Sequence, residues 1–100
     1  MSYNVISEAP IPLDWGRVCS VVSAHRRRVE VFPIPAESPG DPDALGLSIP
    51  EGQADESAWE ELIRLIDALR VGFGMNAVEL YSGLCFEPGN LERIQKNYRG

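Results

Sequence analysis

The sequence contains few groups of residues at the spacing that catalysis or cofactor binding requires. The segment Gly72–Ala77, GFGMNA, matches the letters of the glycine-rich dinucleotide fingerprint. In that fingerprint the glycine turn follows a strand and opens a helix, whose N-terminus then faces the pyrophosphate. Here the glycines follow a helical pattern and precede a strand pattern. They therefore indicate the end of a helix and no nucleotide site.

Histidine and cysteine are the next candidates for chemistry. His25 is the only histidine and stands before three arginines, which leaves no histidine-rich metal site. Cys19 and Cys85 are possible nucleophiles, but a reactive cysteine needs an electropositive setting that spacing does not show. For an intracellular chain we expect two reduced, inert thiols, buried or half-buried, and no disulfide.

Carboxylates close in sequence are the third candidates. Three pairs occur: Asp41 with Asp43, Asp55 with Glu56, and Glu60 with Glu61. Acid–base catalysis needs such groups to converge in a desolvated pocket, and a calcium loop needs a later glycine and glutamate that Asp41-Pro42-Asp43 lacks. Adjacent residues on a helix diverge by about 100°. The sequence therefore predicts a solvated acidic surface with no catalytic residue, no metal and no cofactor.

Charge is unevenly distributed along the chain, whose formal net charge is −6. Between Glu37 and Asp67 there are nine acidic residues and one basic residue, whereas Arg17–Arg28 contains four arginines and no acid. A basic track of that length is short for phosphates, so direct nucleic-acid binding is disfavoured. The dominant negative field favours a protein partner with a basic surface.

Chain length and the absence of long apolar runs limit the architecture. One hundred residues suit a single domain, residues 1–100, because a chain of this size supplies one core. The N-terminus lacks the basic start and apolar run of a secretory signal, and no stretch of about twenty apolar residues occurs. We expect a soluble, cytoplasmic protein with no membrane contact.

Three segments of the first half have strand patterns. Tyr3–Ile6 has strand composition, and 29–34 and 45–49 alternate between apolar and other residues. Pro33 places the second of these at a sheet edge or near its own end. The proline-rich segment 35–43 between them is predicted to be a loop.

Residues 17–24 are ambiguous between helix and strand. Apolar residues recur there at helical spacing behind a possible N-cap at Asp14, but Gly16 and the β-branched residues favour a strand. We predict a strand, which makes 25–28 the turn of a hairpin to the strand at 29–34.

The clearest pattern is an amphipathic helix at about residues 55–71. Seven apolar side chains fall within an arc of roughly 160° at 100° per residue. They are Trp59, Leu62, Ile63, Leu65, Ile66, Leu69 and Phe73. Acidic residues crowd the first turns, where the helix dipole favours them, and Gly72 and Gly74 supply stopping residues.

The C-terminal third predicts a strand at 77–81, a further strand segment at 84–86, and a short helix after Asn90 with Leu91 and Ile94 turned inward. The element order is then β-β-β-(β)-α-β-(β)-α. The sequence thus predicts an α+β domain in which a small, mostly antiparallel sheet of about four to five strands packs against one main helix. Phe32 and Phe86 are expected to face its core.

Function is predicted from charge and from the absence of a catalytic pattern. We expect a non-catalytic, acidic protein-binding module, an inhibitor of the immunity or phage anti-defence (anti-CRISPR-like) kind that occupies a basic, nucleic-acid-binding surface of its partner. The expected contact residues are Asp41, Asp43, Asp55, Glu56, Glu60, Glu61, Asp67 and Trp15. Arg26, Arg27 and Arg28 form a second, basic patch.

Two other classes of function stay open. The chain could be a structural or accessory subunit that forms homodimers through a sheet edge. It could also be a small enzyme or ligand-binding domain that uses Cys19, Cys85 or the carboxylates.

Overall fold

The computed structural model describes residues 2–100. Its elements in chain order are β1 Tyr3–Glu8, α1 Trp15–His25, β2 Glu30–Ile34, β3 Ala44–Ile49, α2 Glu56–Phe73, β4 Asn76–Glu79 and α3 Leu91–Arg99. The strands form one antiparallel sheet in the order β2-β3-β1-β4. The predicted α+β class is confirmed, with an antiparallel sheet, one main helix and a short C-terminal helix.

The strand order contains two interleaved β-α-β connections. β1 and β2 run parallel with β3 between them, and β3 and β4 run parallel with β1 between them. This double split β-α-β arrangement is that of ferredoxin-like folds. The helices of the two connections, α1 and α2, pack against each other, so they lie on the same face of the sheet.

α2 forms because its capping and its periodicity agree. The Asp55 side chain accepts a hydrogen bond from the Ala58 N–H at 2.8 Å, and Gly74 ends the helix in the left-handed region at φ 66°. Leu62, Leu65 and other residues of its apolar stripe are buried against the sheet. The helix predicted at about 55–71 is therefore confirmed at Glu56–Phe73.

The strand predicted at 17–24 is wrong, because these residues belong to α1. Asp14 accepts a hydrogen bond from the Arg17 N–H at 3.3 Å and caps the helix. Val18 is buried, and the contact with α2 stabilises a helix that β-branched residues alone disfavour. Residues 25–28 therefore connect a helix to β2 and do not form a hairpin turn, and the element order becomes β-α-β-β-α-β-α.

Smaller differences between prediction and structure concern Phe32, residues 84–86 and Leu91. Phe32, expected in the core, is 47% exposed because it lies on the face of the sheet away from the helices. Residues 84–86 contribute one isolated bridge, Val78↔Cys85, and no named strand. In α3 Ile94 is buried as expected, but Leu91 is exposed.

Candidate functional site

β3 divides the acidic segment into two groups. Asp41 and Asp43 precede β3, whereas Asp55 and Glu56 follow it. A strand of six residues extends about 20 Å. The two groups therefore lie toward opposite ends of the sheet, and these four carboxylates do not form one continuous surface.

Asp43 and Asp55 have structural contacts. Asp43 accepts hydrogen bonds from the N–H groups of Leu13 at 2.9 Å and Ala36 at 3.1 Å, which hold its pKa below the ordinary value. The pKa of Asp55 is also lowered, first by the N–H of Ala58 and then by the Arg28 guanidinium. Both carboxylates organise the chain around them.

Glu61 is buried, at 3% exposure. Its carboxylate accepts hydrogen bonds from the N–H groups of Arg27 and Arg28, each at 2.9 Å, and Val29 at 2.7 Å. Burial alone would raise the pKa of Glu61, but these three donors together lower it. The expectation that Glu61 lies on a solvated surface is wrong, because the turn before β2 folds over it.

Three acidic residues remain on the outer side of α2. Glu56, Glu60 and Asp67 follow one line along the helix, and we call them the acidic stripe. Glu56 pairs with Arg99 at 2.8 Å, and Asp67 pairs with Arg70. The stripe is exposed, but two of its three charges already have a basic neighbour.

Two arginines of the basic patch also form contacts within the chain. Arg28 pairs with Asp55, and the Nε of Arg26 donates to the Val29 carbonyl oxygen at 2.8 Å. Trp15, predicted as a contact residue, is partly buried and packs against the core at the start of α1.

Both thiols are free, as expected, but both are exposed, so the prediction of buried or half-buried cysteines is wrong. Cys19 lies on α1, and Cys85 lies beside β4. The two cysteines lie toward opposite edges of the sheet, because Cys19 is beside β2 and Cys85 is beside β4.

The sheet face away from the helices has an apolar row across its whole width. Backbone pairing connects Phe32↔Gly46, Gly46↔Ile6, Ile6↔Val78 and Val78↔Cys85. Because side chains alternate along each strand, these residues point away from the buried set that includes Val5 and Leu47. We call this surface the open face.

The shape of the open face depends on Gly46. A Cβ at this position would lie 2.1 Å from ring carbons of Phe32, so the aromatic ring occupies the space above the glycine. The ring therefore lies against the sheet with its outer side exposed. The neighbouring rows add Ile34, which is partly buried, and Leu80, which is 55% exposed.

The charges around the open face are acidic. Glu8 and Glu30 are exposed and, by register, belong to the rows on either side of the apolar row. None of the four strands contains lysine or arginine. This surface could not be predicted from the sequence because β1 and β2 have apolar residues on both faces. Periodicity does not say which of the two faces the helices cover.

A second polar cluster is enclosed on the covered face. Glu79, at 0% exposure, accepts hydrogen bonds from the Tyr3 and Ser82 hydroxyls and from the Asn97 side-chain amide at 2.9 Å. Burial, followed by the effect of Glu79, raises the pKa of Tyr3. The cluster connects β1, β4 and α3 by hydrogen bonds and therefore stabilises the fold.

Across residues 2–100, no group of three His, Cys, Asp or Glu side chains is placed to hold a metal ion. Within the same residues, no helix has the length and apolar character of a membrane span. No family model, no curated protein and no solved structure matches the chain.

Proposed function

We propose that this chain is a non-catalytic protein-binding module of the inhibitor kind, and that it contacts its partner through the open face. The observation that carries the proposal is the apolar row from Phe32 to Cys85 on a sheet face that no helix covers. Contiguous exposed apolar surface rimmed by polar residues is typical of protein interaction sites.

Phe32 is the expected anchor of the contact. Its ring is held above Gly46, so little side-chain freedom is lost when a partner covers it. At 47% exposure it still offers a large apolar surface. A rigid aromatic residue at a flat apolar face is the usual centre of binding energy in such an interface.

Charge favours a protein partner over nucleic acid. Nucleic-acid platforms on sheets combine stacking aromatics with basic residues, and these strands contain one phenylalanine, one tyrosine on the covered face and no basic residue. Glu8 and Glu30 at the rim fit a partner whose apolar patch is bordered by lysine or arginine. This agrees with the basic partner surface expected from the net charge of −6.

Charge also favours a different protein over a second copy of this chain. Two open faces packed together would bring the acidic rims of both copies close, which is unfavourable. Pairing through the β2 edge is weakened because Pro33 has no N–H to donate. An accessory homodimer is thus the less supported alternative.

The test compares Phe32→Glu with Val71→Glu in capture of partners from host extract. Both residues are exposed, but Val71 lies on α2, away from the open face. We expect a captured protein that the wild type and Val71→Glu retain and that Phe32→Glu loses, with circular dichroism showing that both variants fold. Equal capture by all three proteins would contradict a role for the open face.

The acidic stripe supports a second candidate contact surface, that of the acidic inhibitor predicted from sequence. Glu60 is exposed and lies between the two paired members of the stripe. If this surface binds the partner, reversing the charges of Glu56, Glu60 and Asp67 should abolish capture. Binding of the wild type should then weaken strongly as the salt concentration rises. Capture that survives these reversals but not Phe32→Glu assigns the contact to the open face.

A further inference from the structure

A groove lies on the covered side of the sheet, between α1 and β2. α1 packs against α2 and buries Val18, but it does not close over the edge of the sheet. The resulting groove has a volume of about 800 Å³. Its floor includes Val31 and Leu45, and its helical wall includes Trp15 and Val22.

The lining of the groove is mostly apolar, with Cys19, Ser23 and Arg26 on the side of α1. Arg26 is the one charged residue among the described residues that line it. The Arg26 Nε donates to the Val29 carbonyl oxygen at 2.8 Å, which holds the guanidinium at the end of α1. Within residues 2–100 Arg26 forms no ion pair, unlike its neighbour Arg28. An apolar groove with a tethered, unpaired cation complements a ligand with an apolar body and an anionic end.

We propose that this groove binds a small amphipathic carboxylate, with its apolar body against Trp15, Val31 and Leu45 and its carboxylate on Arg26. The volume falls within the range of about 300–1,000 Å³ that is usual for small-ligand sites. The planar guanidinium matches a carboxylate through two parallel hydrogen bonds. A phosphate is disfavoured because its second charge would meet a single arginine in a chain of net charge −6.

The reactivity of the two free cysteines can report whether the groove is occupied. Cys19 lines the groove, whereas Cys85 lies beside β4. A ligand in the groove therefore shields Cys19 and leaves Cys85 reactive. A partner on the open face leaves the groove uncovered, so ligand binding in the groove does not depend on the proposed function.

The experiment measures the alkylation rate of each cysteine by iodoacetamide with decanoate, kept below its micellar concentration. Decanol is the uncharged control. We expect decanoate to slow labelling of Cys19 in a saturable manner without affecting Cys85, and decanol to require about tenfold higher concentration for the same protection.

Arg26→Gln and Arg27→Gln form the matched variants. Arg27 is the next residue, and its side chain does not line the groove. We expect Arg26→Gln to remove the preference for decanoate over decanol, and Arg27→Gln to keep it. Equal protection by decanoate and decanol in the wild type would overturn anion recognition. Protection of neither cysteine, or of both equally, would overturn the site itself.

Discussion

The two faces of the sheet are made of alternate residues of the same strands, yet one is the core and the other is buried only in part. In β1 the side chain of Val5 is 1% exposed, whereas its apolar neighbour Ile6 is only partly buried. In β3 the covered face has Leu45, Leu47 and Ile49, and the open face has the small residues Ala44, Gly46 and Ser48, which are buried although no helix lies over them. Apolar character alone therefore does not decide burial, because the helices cover only one face.

The largest expected difference between the faces concerns stability. Leu47→Ala on the covered face, where the side chain is 0% exposed, should lower the free energy of unfolding by about 2–5 kcal/mol. Phe32→Ala on the open face should cost less than about 1.5 kcal/mol, because its ring is already half solvated. Urea denaturation measures both. Equal losses would mean that the open face is part of the core.

A smaller effect is expected at Glu61, which binds three backbone N–H groups on the covered side. Glu61→Gln should cost about 1.5–3 kcal/mol, since the acceptor loses its charge and one of its two oxygens is replaced by an NH2 group that cannot accept. Glu60→Gln, at the exposed neighbouring position, is the control and should cost almost nothing.

The Glu61 contribution should also depend on pH. Its pKa is lowered in the folded state, so its stabilisation is present above the ordinary glutamate pKa of about 4.3 and is lost as the pH falls through the folded-state pKa. Wild type and Glu61→Gln should therefore become more alike in stability in acid. A difference that does not change between pH 7 and pH 3 would refute this account.

The Tyr3 hydroxyl is part of the buried cluster on the covered face, and removing it should lower the free energy of unfolding by about 1–2 kcal/mol. Tyr3→Phe removes the hydrogen bond to Glu79 and keeps the ring contacts with Trp59 and Tyr98. Because the folded-state pKa of Tyr3 is raised, wild-type stability should fall as the pH rises above about 10, and this part of the fall should be absent from Tyr3→Phe. Tyr81→Phe, at an 85% exposed position, is the control.

The smallest effect tests how the open face is built. Gly46→Ala places a methyl group where the Phe32 ring lies, so the ring must move, and we expect a loss of about 0.5 kcal/mol. With Phe32→Ala already present, the same change should instead stabilise by about 0.5–1 kcal/mol, because glycine is unfavourable within a strand. The same sign in both backgrounds would show that Phe32 does not lie over Gly46.

Sequence reasoning recovered the elements whose signals are local. The cap at Asp55, the stripe with Leu62 and Leu65, and the C-cap at Gly74 all belong to one helix. The helix after Asn90 and the strands around Val5 and Leu47 were found for the same reason. α1 was predicted as a strand because its residues favour helix and strand about equally. Packing against α2 stabilises the helix.

The candidate sites were much less predictable. The acidic residues were identified by type, but β3 separates them, and Glu61 is drawn inward by backbone N–H groups more than thirty positions earlier in the chain. The open face and the groove leave no motif in the sequence, because each consists of residues from several elements.

By itself, the sequence determined where the chain forms α2 and its strands, and it determined the negative charge, because composition, periodicity and caps act over one or two turns. Only the tertiary structure decided which side of each strand is buried and which arginines form ion pairs. Periodicity distinguishes two faces of an element, but a face becomes core or surface only when the connections place another element on it.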